Sequence, residues 1–314
     1  METGTFLSAD NKTDIEYYIF ENKTGSPKGI VQISHGMQDY ILRYGDLIEY
    51  LTSKGFIVCG CDDLGHGKTS KSKDTDGFFA EKNGYKFVLN DLHTMSMIVK
   101  EKYKDVPFFL LGHSMGSFFA RAYASKFPNE LDGLILCGTS GKVFGTGLGI
   151  KLLDIVMLFK GKKQYCSLVE NIMLASYFKY IEDVKTKREW VTSDPVKLKE
   201  YENDPRTNFR FTASAYKDML KTLKKVNTNG WAKSLPKDMA ILICSGSHDP
   251  VGAYGKGICG VYKLLEKQKM SDVQMKLYSG ARHELHNELP EIREEFFKDV
   301  ETWLNQKIDK QKNK

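Results

Sequence analysis

The sequence predicts an α/β protein with a mostly parallel central sheet, helices on both faces and one helical insertion. Three observations predict it. Short apolar runs alternate with helix-length amphipathic segments, which is the doubly wound pattern. The alternation breaks once, over about a hundred residues after Cys137 that contain no clear strand, too many for a simple connection. A final segment, Glu291–Lys307, spaces Phe296, Phe297, Val300, Trp303 and Leu304 so that one helical face can dock on a core.

Taken in order, Asp14–Phe20 reads as an N-terminal antiparallel edge strand. The strand candidates are Gly29–Ser34, Phe56–Cys61, Pro107–Gly112, Leu131–Cys137, Met239–Ser245 and Val273–Tyr278. Helical patterns fall at Ile41–Ser53, Gly84–Tyr103, Met115–Phe127 and Gly255–Lys267. Inside the gap, Ile150–Phe159, Ser167–Tyr180 and Asn208–Val226 are helical as well. This organisation divides the chain into a core in two parts, 1–140 and 230–314, with residues 141–229 as an inserted helical cap.

Bulk properties exclude several classes. A chain of 314 residues with 41% hydrophobic and 27% charged residues is an ordinary globular sequence. The net charge of +6 is mild, and the lysine-rich end Lys307–Lys314 reads as a solvated tail. Neither a basic face with interleaved aromatics nor a nucleic-acid-binding module is present, so no nucleic-acid partner is expected. The start lacks a basic region followed by an apolar one, and no apolar run reaches the roughly 18 residues that span a bilayer. Six cysteines do not form a disulfide framework. Cys59, Cys137 and Cys244 lie in strand-like runs, and the Cys59–Cys61 pair lacks the second ligand pair a zinc site needs. A reducing cytoplasm is the expected compartment, and no metal or other cofactor is expected.

The chemistry concentrates at Gly-His-Ser-Met-Gly, residues 112–116. A buried-strand run precedes it and a helical pattern follows. The chain must therefore turn sharply at Ser114, raising its oxygen above the sheet, while Gly112 and Gly116 leave room for the turn. A serine nucleophile needs a base, and the base needs an orienting acid. Asp249 lies just past the strand Met239–Ser245, and His283 lies in the loop after Val273–Tyr278. Both therefore emerge at the sheet edge that carries Ser114. Among the seven histidines, His286 is the next candidate base, one turn farther on. His248 reads as a loop residue and His93 as a surface or packing residue. Asp272 precedes its strand and lies at the wrong edge. The backbone N–H groups of Met37, in the loop after Gly29–Ser34, and Met115 are the expected oxyanion donors. His35 reads as a structural hydrogen-bonder.

The motifs His35–Tyr40 with Arg43 and Tyr44, Asp62–Gly67, Gly112–Ser117, Gly246–Val251 and Ala281–Glu288 together resemble the monoacylglycerol lipase and lysophospholipase group of α/β-hydrolases. The resemblance covers residues 35–288. It implies the α/β-hydrolase fold, a Ser114–His283–Asp249 triad, oxyanion donors at Met37 and Met115, and a helical cap. Two departures stand out. The first motif reads Gly-Met-Gln-Asp-Tyr where the group continues Gly-x-x-Glu-His, and the cap does not match the group's membrane-docking cap.

The expected function is hydrolysis of carboxylic esters of lipid-like substrates, of the monoacylglycerol or lysophospholipid type, with a small or polar leaving group. A peptidase or amidase on the same triad is the rival, for which Glu182, Asp183, Glu200 and Glu202 would supply an acidic cluster. A non-catalytic ligand-binding protein is the third reading. Leu148, Leu152, Leu153, Ile155, Val156, Met157, Leu158 and Phe159 fit either a lipid entrance or the cap's own core, which leaves open a transient membrane-surface contact. Lys160, Lys162 and Lys163 read as a solvated turn, Gly145–Gly149 as a hinge, and Asp62–Gly67 as a packing turn that includes His66.

Overall fold

A computed structural model of the chain describes residues 1–22, 25–175, 177–182 and 184–312. Strands β1 (Glu2–Leu7), β2 (Asp14–Phe20), β3 (Ile30–Ser34), β4 (Ile57–Cys61), β5 (Phe108–His113), β6 (Gly133–Cys137), β7 (Ala240–Gly246) and β8 (Val273–Tyr278) form one sheet. Their order is β1-β2-β4-β3-β5-β6-β7-β8. β1 and β2 pair antiparallel, β2 joins β4 antiparallel, and every pairing from β4 through β8 is parallel. β3 through β7 are buried at every position. Strands covered on both faces read as continuous apolar runs, which is why these were visible in the sequence.

Helices α1 (Gly45–Ser53) and α10 (Pro290–Lys312) cover one face of the sheet, and α2 (Gly84–Lys102), α3 (Met115–Lys126) and α9 (Lys256–Lys267) cover the other. The predicted stripe of α10 is buried as expected, and the helix continues past Lys307. Lys307 is not part of a solvated tail. It is buried and bonds Asp272 at 2.6 Å, while residues 313 and 314 lie outside the described residues. A second correction concerns β2, which is not the edge. β1 lies outside it, and its largely exposed Glu-Thr-Gly-Thr-Phe-Leu carries no apolar alternation to reveal it. Residues 41–44 form a separate 3₁₀ turn before α1.

Between β6 and β7 the chain forms α4 (Thr146–Lys160), α5 (Ser167–Leu174), α6 (Pro195–Asn203), α7 (Ala213–Val226) and α8 (Asn229–Lys233). α5 stops before the expected Tyr180, and α7 begins at Ala213, where the Thr212 hydroxyl accepts the Ala215 N–H. α6 was missed although its start carries a local signal. The Asp194 carboxylate caps it and Pro195 takes its first position. On α4 only Leu153 is buried, whereas Leu148, Ile155, Leu158 and Phe159 face outward. Lys162 pairs with Glu81, and Lys163 donates to the Asp74 carbonyl.

Both ends of this insertion meet at Arg121 on α3, a guanidinium without solvent exposure. It donates to the Ser140 carbonyl at 3.0 Å, to the Val226 carbonyl, and to Asn227 Oδ1 at 3.1 Å. Asn227 Nδ2 in turn donates to the Gly141 carbonyl at 3.1 Å. The Trp231 ring lies 4.3 Å beneath the guanidinium. Burial lowers the Arg121 pKa to about 9. Its charge is met by carbonyls, two of them near the negative C-terminal end of α7.

Candidate active site

The apolar run of β5 ends at His113 and α3 begins at Met115, so Ser114 alone makes the turn. Its φ of 51° and ψ of −122° lie where a side chain is strained. The Ser114 N–H donates to the Cys137 carbonyl at 2.9 Å, and its carbonyl accepts from Ser117, which fixes the turn from both sides. A Cβ at Gly116 would sit 2.0 Å from the Ser34 carbonyl oxygen, and one at Gly112 would sit 2.7 Å from the Ala120 side chain. The turn therefore needs both glycines. Gly116→Ala is expected to destabilise the protein by about 3 kcal/mol through this clash. Denaturant midpoints measure it, and an unchanged midpoint would show that β3 and α3 can separate without cost.

The loop after β3 runs beside this turn. Neither the Met37 nor the Met115 N–H has an acceptor among the described residues. His35 is the structural hydrogen-bonder expected of it. Its Nδ1 donates to the Gly36 carbonyl at 2.8 Å, and its Nε2 accepts the Asp63 N–H at 3.0 Å.

Past β7, Asp249 has no solvent exposure. Its Oδ1 accepts the Val251 N–H at 2.9 Å and lies 2.9 Å from His283 Nδ1, while its Oδ2 accepts from the Ser245 hydroxyl at 3.0 Å. These bonds hold the carboxylate in place and orient the imidazole. His283, past β8, packs where Gly138 has no side chain and where the Trp190 ring lies 5.2 Å away. Burial alone would lower the His283 pKa, but the Asp249 carboxylate, helped by Glu284 and Asp39, raises it above the ordinary value of 6.5. Ser114, His283, Met37 and Met115 line one cavity of about 520 Å³, and Asp249 lies behind His283. The expected site residues are thus gathered at one sheet edge.

The remaining candidates fall elsewhere. His286 is buried, stacked on Tyr44 at 4.2 Å, and its Nε2 has no partner among the described residues. Burial and the nearby His113 lower its pKa to about 3, so it stays neutral. His66 is enclosed by Phe79, Phe209 and Phe211, and burial likewise lowers it to about 3. His248 stacks on Tyr180, and His93 packs on Phe127 and meets Glu130. Asp39, His113 and His286 hold ligand-type atoms within 4.8 Å of one another. The Tyr44 hydroxyl already bridges two of them, donating to Asp39 Oδ2 at 2.7 Å and lying 3.0 Å from His113 Nδ1.

Sequence reasoning missed the ionic cluster behind His283. Arg43 forks onto both oxygens of Glu284 at 2.8 and 2.6 Å and onto Asp39 Oδ1 at 2.8 Å. Burial would raise both acids, but the guanidinium outweighs it and holds each below the usual carboxylate range. The cluster ties the His283 loop to the loop carrying Met37. In the sequence Asp39, Arg43 and Glu284 stand out only as members of separate motifs, and nothing there pairs them. Also missed were Arg188 and Trp190, which line the cavity from the insertion and follow no spacing rule.

A strained serine at a strand-to-helix turn, at the edge of a mostly parallel, helix-covered sheet, defines an α/β-hydrolase. The family Hydrolase_4, described as "Serine aminopeptidase, S33", matches residues 25–290, and the chain belongs to that family. It is similar to a monoglyceride lipase homolog of Monkeypox virus, 27% identical over 98% of this chain and 100% of the relative. It is 28% identical to the monoglyceride lipase of Homo sapiens, over 90% of this chain and 84% of that one. A highly thermostable carboxyl esterase from Bacillus coagulans superposes with a TM-score of 0.91 at 33% identity, covering 98% of both chains.

Proposed function

We propose that this hydrolase cleaves monoacyl lipid-type esters, of the monoacylglycerol or lysophospholipid kind, with Ser114 as nucleophile, His283 as base and Asp249 as its orienting acid. It is a carboxylic ester hydrolase, and one observation carries the lipid reading. The cavity above Ser114 is walled chiefly by apolar side chains such as Phe118, Met219, Leu220, Leu223 and Val251, a surface suited to an acyl chain. The names of its relatives, which include the monoglyceride lipases and a "Phospholipase YtpA" of Bacillus subtilis, support the same substrate class.

In this reading Ser114 Oγ attacks the acyl carbon as His283 Nε2 takes its proton. The Met37 and Met115 N–H groups hold the tetrahedral oxyanion. His283 then protonates the leaving alcohol, and water repeats the cycle on the acyl-enzyme. We read residues 141–229 as a cap over this cavity. Its outward Phe144, Leu148, Leu158 and Phe159 support transient docking on a lipid surface. No helix among the described residues is long and apolar enough to cross a membrane. For the amidase rival, Glu182, Glu200 and Glu202 do not line the cavity, and Asp183 lies outside the described residues.

A chain-length series of p-nitrophenyl esters tests the proposal. Steady turnover is expected, with kcat/KM rising from acetate toward medium chains by at most about fourfold per buried methylene. Cleavage of aminoacyl anilides with no ester turnover would overturn it in favour of an aminopeptidase. Tight ester binding without turnover would mark a binding protein.

A further inference from the structure

The cavity wall also carries a cation without an ionic partner. Arg188 is half-buried, and its guanidinium donates to the neutral Gln38 Oε1 at 2.9 Å. Arg188 makes no ion pair among the described residues. A guanidinium offers five N–H donors in a rigid fork, so most of this one's capacity is uncommitted. A partly desolvated cation in an apolar-walled cavity is stabilised by an incoming anion. The acids nearest in the chain of contacts are already taken, because Glu284 and Asp39 both bind Arg43. Glu170, the other acid of the wall, is outnumbered by Lys142 and Lys256, which line the same cavity.

The position of Arg188 decides which part of a substrate it would meet. Gln38, its partner, directly follows Met37 in the proposed oxyanion loop. Two residues beyond Arg188, the Trp190 ring packs on His283, and the Val191 carbonyl accepts the Glu284 N–H at 2.8 Å. The guanidinium is thus bonded to the loop that would hold the oxyanion, and it lines the same cavity as the histidine that would protonate the departing oxygen. An alcohol protonated by His283 would leave into the cavity that Arg188 lines.

We propose that Arg188, seated on Gln38, is the recognition residue for a phosphate carried by the leaving alcohol. On this view the preferred ester is a monoacyl glycerophosphate rather than an uncharged monoacylglycerol. The inference rests on the ester-hydrolase reading above. It adds an anion subsite, formed by residues of the insertion and the β3 loop together, that distinguishes the two kinds of lipid that reading joins.

The test uses the full chain with 1-oleoyl-glycerol 3-phosphate and 1-oleoylglycerol, each diluted in neutral detergent micelles, and compares their kcat/KM values as a ratio. Arg188→Gln is expected to lower the phosphate-to-neutral ratio at least tenfold. Arg188→Lys should keep most of it, and Lys187→Gln, an exposed neighbour that controls for charge at the micelle surface, should leave the ratio in place. Soluble glycerol 3-phosphate should compete with p-nitrophenyl butyrate in the wild type, with an inhibition constant at least tenfold weaker in Arg188→Gln. An unchanged ratio in Arg188→Gln overturns the proposal. So does an equal fall on both lipids, which would mean that Arg188 only steadies Gln38. Competition by inorganic phosphate and glycerol 3-phosphate with no change in the ratio would reveal a free-anion site and overturn the leaving-group assignment. Wild-type failure on p-nitrophenyl butyrate and both lipids would sink the ester reading itself, and this inference with it.

Discussion

Replacing Ser114 with alanine is expected to lower ester turnover by about a million-fold. This is the scale on which a serine nucleophile acting together with its base is lost. The substitution keeps Cβ, so the left-handed turn at φ 51° carries the same strain and the fold should be undisturbed. Turnover of p-nitrophenyl butyrate measures the loss, with far-ultraviolet circular dichroism as the check on folding. Fluorophosphonate labelling gives a second reading. The wild type should carry one adduct on the peptide containing residues 112–116, and the variant none. An adduct that persists on another residue would remove Ser114 from the role proposed for it.

Asp249→Asn should cost about ten-thousandfold in kcat while leaving the site's geometry in place. The Asp249 carboxylate accepts from His283 Nδ1 at 2.9 Å, so Nε2 is left free to take a proton. An amide at this position can turn its NH₂ group toward Nδ1, which puts the ring proton on Nε2 and removes the base. The pH profile carries an independent signature. His283 must be neutral to act, and its folded pKa lies above 6.5, so wild-type activity should fall as pH drops through that raised value. Without the Asp249 charge the imidazole becomes easier to deprotonate. The acid limb of whatever activity remains should then move to lower pH. A variant with wild-type rates and an unmoved acid limb would show that Asp249 is only a structural carboxylate.

Each strand expected from Gly29 to Tyr278 is present within two residues of its expected bounds, and for β3 through β7, which are buried throughout, the reason is physical. A strand covered on both faces has no polar side to interrupt its apolar run, so its extent is written in composition. β1 has the opposite character. It hangs on β2 as an outer strand with both faces largely wet, and nothing in Glu2–Leu7 marks it. Ser114, Asp249 and His283 were legible because each sits just past a readable strand on one edge of a parallel sheet. Arg43 with Glu284, and Arg188 with Gln38, were not. Their partners are 241 and 150 residues apart, and a long-range ionic contact leaves no periodicity along the chain. The insertion falls between. Its helices α4, α5 and α7 were visible as patterns and α6 was not, and which of the apolar residues face inward depended on α4 packing against α7, with only Leu153 on α4 buried.

The Arg121 clasp bears on how such a protein can change over time. Ser140 and Gly141 stand directly against Asn227, although 86 residues separate Gly141 from Asn227 along the chain. A segment whose two ends are already joined closes its loop at the base. The entropy of closing a longer or shorter excursion then varies only slowly with its length. The sheet below and the serine turn on α3 are anchored to that base rather than to the helices above it. Lineages could therefore lengthen, trim or exchange the excursion, and with it the chemistry of the wall facing the substrate, while inheriting the turn at residues 112–116 intact. Arg121 marks the seam along which such an exchange would run.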